Sequence, residues 1–166
     1  ALVITIAVGV GSNAVVHGFI RGLITRDLPV NTDRVYSLFG RGADGGAAPL
    51  SLEDLAWLER HVTGFAWLGA VRELQANVEL ADREDVLSAA AVTAPVASLL
   101  GLPLGNGVVL SHAVWQDAFQ GKVAVRGERI RIDGRDMRVS GVAPEWLEGL
   151  FLGRDVDLWM PLDDHG

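Results

Sequence analysis

The sequence predicts an α+β domain, with mixed and antiparallel sheets and a few packed helices, preceded by an N-terminal transmembrane helix. Residues 128–139 alternate polar and apolar side chains around an Asp-Gly pair, which is typical of a β-hairpin. Residues 52–62 carry apolar side chains at helical spacing, which indicates an amphipathic helix. The run from Ala1 to Ile20 contains no charged residue when His17 is neutral, which is typical of a membrane helix.

The N-terminal run has the length of a membrane crossing. As a helix its 20 residues extend about 30 Å, which matches the thickness of a bilayer core. Small residues let membrane helices pack closely, and polar groups within lipid are expected to face partner helices. The residues assigned to helix packing are Gly9, Gly11, Asn13, His17 and Gly18. We therefore expect residues 1–28 to be the end of a first transmembrane helix and residues 29–166 to form an extracytoplasmic domain.

Two other interpretations of this run stay open. The segment Gly9-Val10-Gly11-Ser12-Asn13-Ala14 fits the pattern of a dinucleotide-binding turn, which would indicate a nucleotide-binding enzyme. That fold needs a second buried strand after the helix, whereas residues 26–33 are polar and broken by proline. Alternatively, the run is a buried N-terminal helix of a soluble binding module.

Composition excludes several kinds of site and partner. The chain has no cysteine, so it has neither disulfides nor thiolate metal ligands. The net charge is −7, and residues 29–166 carry 12 basic and 20 acidic side chains. An acidic domain repels phosphate backbones, so nucleic acid is not expected as a partner.

The first part of the domain is predicted to contain a strand, a loop and a helix. Residues 34–39 (RVYSLF) are rich in β-favouring side chains, and the glycine-rich residues 40–49 form a loop. Ser51 caps the following helix, whose first turn carries acidic residues that suit the helix dipole. The apolar stripe of this helix comprises Leu52, Leu55, Leu58 and Val62.

Residues 64–93 predict an antiparallel meander. Its three strands are expected at residues 65–74, 75–82 and 84–93, with a charged turn at residues 81–85. A second helix starts at Thr93, with Pro95 in its first turn, and ends near Gly101.

The C-terminal part is predicted to add four strands and one helix. Val108–Leu110 is a short buried strand, and Ser111 caps a helix over His112–Phe119. The hairpin turns at Asp133-Gly134, and Asp157–Pro161 is the last strand.

The tryptophans divide into two groups. Trp57, Trp67, Trp115 and Trp159 lie in periodic segments, so we expect them in the core. Trp146 follows a proline in a loop-like stretch with several apolar neighbours, and an exposed apolar patch of that kind marks a contact surface. The candidate partner contact, with a subunit or lipid headgroups, comprises Trp146, Leu147, Leu150 and Phe151; a short helix covering the core is the alternative.

Nothing in the sequence indicates catalysis. The histidines have no metal-ligand spacing, and no Walker A motif is present. Ser111, His112 and Asp117 are the residue types of a catalytic triad, but adjacent Ser and His side chains diverge at a helix start, and the nucleophile-elbow motif is missing. We therefore expect a non-enzyme without metal or cofactor.

In their order and spacing, several phrases resemble the extracytoplasmic core domain of MacB-like ABC transporter permeases, in the FtsX-like superfamily. The phrases are IAVGVGSNAVVHGFIRGLITRDLP, DRVYSL, LSLEDLAWLERHVTGFAWLGA, TAPVASLLGLPLGNG, VVLSHAVWQDAFQGKVAVRGERIRIDGRDMRVSGVAPEWL and DVDLWMPL. Two departures from the family are a very short loop between Gly105 and Val108 and an extra apolar run at residues 145–154. No ligand contact is therefore carried over.

The resemblance implies a role. Such a permease lies in the cytoplasmic (inner) membrane, with this domain outside it between the first two membrane helices. An ABC ATPase subunit works on the cytoplasmic side, and a second permease copy completes a dimer or pseudo-dimer. The expected function is mechanotransmission, in which ATP-driven motion is coupled to export or other extracytoplasmic work.

Overall fold

The computed structural model describes residues 35–80, 83–148 and 155–162. The transmembrane helix expected within residues 1–28 lies outside these ranges. Across the part of the chain that is described, none of the helices combines the length and the apolar character needed to cross a membrane.

Three short helices and eight strands make up the described structure. The helices are α1 (Leu52–His61), α2 (Ala94–Leu99) and α3 (His112–Phe119), and single 3₁₀ turns lie at Val123–Val125 and Glu145–Leu147. The strands are β1 (Gly40–Arg41), β2 (Ala47–Ala48), β3 (Val71–Leu80), β4 (Arg83–Val92), β5 (Val108–Leu110), β6 (Arg129–Ile132), β7 (Arg135–Val142) and β8 (Leu158–Pro161). The predicted α+β class is confirmed.

Six of the strands form a closed barrel in the order β3-β4-β8-β5-β7-β6, while β1 and β2 pair separately. The barrel is mixed, because β4 pairs with β8 and β5 pairs with β7 in parallel, whereas the other pairs are antiparallel. Strands that are adjacent in the barrel are therefore often distant in sequence.

A first hydrophobic cluster fills the barrel. On β3, Ala76, Val78 and Leu80 are buried, while the intervening Asn77 and Glu79 are exposed. This alternation follows from the two-residue repeat of a strand, which points successive side chains to opposite faces. Helix α3 packs against the same cluster.

A second hydrophobic cluster lies on the outside of the barrel, where β4, β5 and β8 are covered by α2 and the loops that follow β7 and α2. Its buried members are Ala90, Val92, Ala97, Leu100, Leu102, Leu104, Val109, Ala143, Leu147 and Trp159. Strands β5 and β8 and the last four residues of β4 thus have both faces covered, so their sequences read as continuous apolar runs.

The predicted hairpin between β6 and β7 is confirmed, with Ile132 paired to Arg135 across a two-residue turn. Asp133 and Gly134 have φ values of 47° and 78°, and positive φ at both turn positions is the geometry of a type I′ turn. The Asp133 carboxylate accepts hydrogen bonds from the backbone and side-chain N–H groups of Asn77, which ties the turn to β3.

Two strand predictions at the start of the domain are wrong. Residues 35–39 have no regular secondary structure, because they find no strand partner among the described residues. The predicted three-strand meander is instead the two long strands β3 and β4, and residues 65–70 precede them without strand pairing. The predicted third strand, residues 84–93, corresponds to β4. Arg83, Glu84 and Asp85, which the predicted turn also included, belong to β4 and pair with the end of β3.

The core placement of the tryptophans is partly correct. Trp159 is buried and Trp115 is half-buried against the barrel cluster, as predicted. Trp57 and Trp67 are exposed, so their assignment to the core is wrong. The reason is that α1 buries none of its side chains fully, and residues 65–67 pass outside the barrel.

Two valines give a matched test of the outer cluster. Val109 is 0% exposed on β5, whereas Val123 is 97% exposed. We expect Val109→Ala to lower the free energy of unfolding by roughly 2 kcal/mol, from the loss of two buried carbon groups and the cavity left behind. Val123→Ala is expected to change it by less than about 0.5 kcal/mol. Urea denaturation measures both, and equal effects would contradict the described packing.

Candidate functional site

The residue types of a catalytic triad are present in the structure, but each is engaged separately. The Ser111 hydroxyl, on a side chain only 4% exposed, accepts a hydrogen bond from Val114 N–H at 3.1 Å and so caps α3, as predicted. The His112 ring packs edge-on against Trp115, with centroids 5.2 Å apart. Asp117 forms an ion pair with Arg83. These contacts give the three residues structural roles.

Arg83 links the start of β4 to helix α3. Its guanidinium contacts Asp117 on α3 and lies 2.7 Å from the Asp85 carboxylate. The hydrogen bond to Asp117, followed by the charges of Asp117 and Asp85, raises the pKa of Arg83 above its already high ordinary value. The arginine is therefore permanently charged. Because its ion pairs are exposed to solvent, they contribute little to the free energy of unfolding.

No cluster of three or more potential metal ligands occurs within residues 35–80, 83–148 and 155–162.

Ser111→Ala tests the structural role of this serine. Removing the hydroxyl leaves the Val114 N–H buried without its partner, so we expect a loss of about 1–2 kcal/mol in the free energy of unfolding. Ser111→Thr keeps an acceptor oxygen and is expected to retain most of the stability. Thermal or urea unfolding monitored by circular dichroism measures both variants. Equal stability of Ser111→Ala and the parent would contradict the cap.

The first candidate contact site is a solvent-open cleft of about 250 Å³ between the end of α1 and the start of α2. It is lined by Glu59, Val62, Phe65, Ala66, Trp67, Leu68 and Pro95. Six of the seven lining residues have apolar side chains, and Glu59 contributes the only carboxylate among them.

Phe65 and Trp67 of this cleft are exposed, as are three aromatic residues that precede them in the sequence. Tyr36, Phe39, Trp57, Phe65 and Trp67 have between 41% and 67% of their surface accessible. Trp57 also stacks on His61 of the same helix, with ring centroids 4.6 Å apart. We call residues 36–67, which contain all five, the aromatic segment.

Gly69 and Ala70, just after the aromatic segment, connect it to the barrel. Ala70 N–H donates to the Thr93 hydroxyl at 3.0 Å, and Thr93 N–H donates to Ala70 C=O at 3.1 Å. At Gly69, an added Cβ would lie 2.7 Å from Val96 Cγ2 and 2.8 Å from Thr93 Oγ1. Glycine is therefore needed at position 69, where the chain passes close to the first turn of α2.

A capping box fixes the start of α1 within the aromatic segment. The Ser51 hydroxyl accepts from Asp54 N–H at 3.0 Å, and the Asp54 carboxylate accepts from Ser51 N–H at 2.9 Å and from its hydroxyl at 2.7 Å. The backbone hydrogen bond from Ser51, then that from its hydroxyl, lowers the pKa of Asp54 below its ordinary 3.8. The predicted cap is confirmed.

This capping box predicts an acid-sensitive helix start. Because the pKa of Asp54 is lowered in the folded state, its contribution to stability is present above the unfolded pKa and is lost as pH falls through the folded value, below about pH 4. Ser51→Ala removes the hydroxyl but keeps the backbone donor, so we expect the pKa of Asp54 to rise part of the way to 3.8. Carboxyl NMR titration measures it, and an unchanged pKa would contradict the assigned cause.

The second candidate contact, around Trp146, is only partly described. Leu147 is 4% exposed and belongs to the outer hydrophobic cluster, so its side chain serves the core in this conformation. Trp146 is half-buried against the same cluster. Leu150 and Phe151 lie outside the described residues, and the proposed partner contact stays a prediction.

The residues assigned to membrane-helix packing, Gly9, Gly11, Asn13, His17 and Gly18, also lie outside the described residues. No sequence motif indicates the cleft. One signal is available: Phe65, Trp67 and Leu68 stand between glycines without the alternation of a half-buried strand, which argues against their assignment to a sheet.

Comparison with protein families gives one match to the chain. The family model described as the MacB-like periplasmic core domain matches residues 1–166. None of the curated protein sequences compared with the chain is significantly similar to it.

Solved structures with a similar fold include two outer domains of transporters. The periplasmic region of MacB from Actinobacillus actinomycetemcomitans matches with a TM-score of 0.53 at 13% identity, over 78% of this chain and 59% of that one. The extracellular domain of the ABC-type transporter YknZ from Gram-positive bacteria matches with a TM-score of 0.51 at 16% identity, over 68% of this chain and 62% of that one. The chain therefore spans about three fifths of either structure, and the likeness concerns the fold.

Proposed function

Because the chain belongs to the family of MacB-like periplasmic core domains of ABC transporter permeases, we propose that it couples ATP-driven motion to export or other extracytoplasmic work without performing chemistry. The observation that carries this proposal is the family match along the whole chain, from residue 1 to residue 166. The two transporter domains of similar fold support it.

The described residues are consistent with a non-catalytic role. Ser111 caps a helix, His112 packs on a tryptophan and Asp117 pairs with an arginine. The three residue types of a catalytic triad thus each make a separate structural contact. The closed barrel supplies a body in which each strand pairs with two neighbours over at least part of its length. Such a body moves as a unit when one of its ends is displaced.

The proposal includes an anchor and partners. Residues 1–28 form the end of the first transmembrane helix in the cytoplasmic (inner) membrane, and residues 29–166 lie on the extracytoplasmic side. The helix packs against its neighbours through Gly9, Gly11, Asn13, His17 and Gly18. The partners are the lipid bilayer, a second permease copy and an ABC ATPase subunit, which is reached through parts of the permease outside this chain.

Membrane partitioning tests the anchor on which this function depends. The chain and a version beginning at residue 29 are expressed with the same export signal, and membranes are extracted with alkaline carbonate. We expect the full chain to stay in the membrane and the shorter one to be soluble and folded. Residues 1–20 form an uncharged run long enough to span a bilayer, whereas the other long uncharged run, residues 86–116, is divided among β4, α2, β5 and α3 of the folded domain.

The opposite result has a clear meaning. If the full chain is released and the shorter form unfolds, the N-terminal helix belongs to a soluble core, and the binding-module interpretation replaces the transport function. Binding of NAD that is lost in Gly11→Val would instead support the nucleotide-binding interpretation of the N-terminal glycines.

A further inference from the structure

Exposed aromatic side chains are confined to one part of the described chain. All five aromatic residues of the aromatic segment are exposed. The aromatic residues described beyond it are buried or half-buried, namely Trp115, Phe119, Trp146 and Trp159. Scattered exposed apolar residues are ordinary, whereas contiguous apolar surface marks an interaction site, and Phe65 and Trp67 line one cleft together.

The aromatic segment follows the apolar N-terminal run closely in sequence. Fifteen residues, 21–35, separate Ile20 from Tyr36. Fully extended they span at most about 50 Å, and as a helix about 22 Å. Once residues 1–20 cross the bilayer, the aromatic segment is held near the membrane surface at a high effective concentration.

We propose that the aromatic segment lies in the headgroup region of the bilayer and holds the outer domain against the membrane. This proposal rests on the proposed function, since it requires residues 1–28 to be anchored. Trp and Tyr are enriched at membrane–water interfaces, where the ring meets the apolar boundary and the polar atom stays hydrated. Trp57, Trp67 and Tyr36 supply these side chains, and Phe39 and Phe65 add apolar surface.

The charges of the aromatic segment indicate that the contact is apolar rather than electrostatic. Its two arginines are outnumbered by four acidic residues, Asp44, Glu53, Asp54 and Glu59. An acidic segment gains nothing from anionic lipids. We therefore expect the contact to form on zwitterionic lipid and to survive high salt, because burial of aromatic surface carries it.

The absence of cysteine from the chain allows single-site labelling. Trp67→Cys and Phe39→Cys place a spin label at two ends of the aromatic segment. Val86→Cys and Val123→Cys are matched controls. Both valines are exposed, but they lie outside the aromatic segment, on β4 and in the 3₁₀ turn at Val123–Val125. The full 166-residue variants are reconstituted in phosphatidylcholine vesicles, and circular dichroism confirms that each one is folded.

Label depth is measured from the relative access of oxygen, which concentrates in lipid, and of a water-soluble nickel chelate. We expect the labels at positions 67 and 39 to lie about 5–10 Å into the interface, and the control labels to stay in water. The depth should not change at high salt or when anionic lipid is added. Two test positions are used so that a folding defect in one variant does not decide the result.

Other outcomes overturn the proposal. Labels at positions 67 and 39 that are as accessible to nickel as those at positions 86 and 123 show that the segment faces water. Labels shielded from both oxygen and nickel show that protein, such as a second copy of the chain, covers the segment instead.

Carbonate extraction of the same vesicles separates this proposal from the proposed function. If the chain is retained and the segment labels are aqueous, the aromatic contact is wrong but the membrane anchor stands. If the chain is released, both proposals are overturned.

Discussion

Strand β8 is the element on which the rest of the fold depends, because it contributes to both hydrophobic clusters at once. Leu158 faces the barrel interior, and Trp159, the next residue, faces the outer cluster. Asp157, just before the strand, exchanges hydrogen bonds with the backbone of Ser88 on β4 and accepts from Ser111 N–H after β5. These contacts join residues that are far apart in sequence, so barrel closure is a non-local and cooperative event.

Exposed side chains indicate where this domain can meet a partner. Each barrel strand pairs with two neighbours, but among the described residues positions 71–76 of β3 and 83–87 of β4 are paired on one side only. Within the described residues, the aromatic segment carries the highest concentration of exposed apolar surface. The part of the fold that packs least against the core is thus the part best suited to interaction.

Short sequence patterns predict the structure correctly where hydrogen bonds between nearby residues determine it. The Asp133-Gly134 turn and the serine caps at Ser51 and Ser111 form as predicted, because their hydrogen bonds join residues within one turn. Parallel pairing of β4 with β8 depends on residues about 70 positions apart, and no short pattern encodes it. Trp57 and Trp67 were misplaced because helical or strand-like periodicity does not reveal whether a second element covers the apolar face.

Gly64 and Gly69 stand on either side of Phe65 and Trp67 and determine how these two residues of the aromatic segment are held. Gly64, after α1, has a φ of +112°, and no atom lies within 4 Å of a Cβ built there, so backbone conformation rather than packing requires glycine. Gly69 is enclosed by Thr93 and Val96, which fixes the chain against the barrel. Phe65 and Trp67 therefore lie between a sharp bend on the α1 side and a rigid contact on the barrel side. A bilayer that holds these two aromatic residues would act directly on the barrel, without requiring α1 to be rigidly packed.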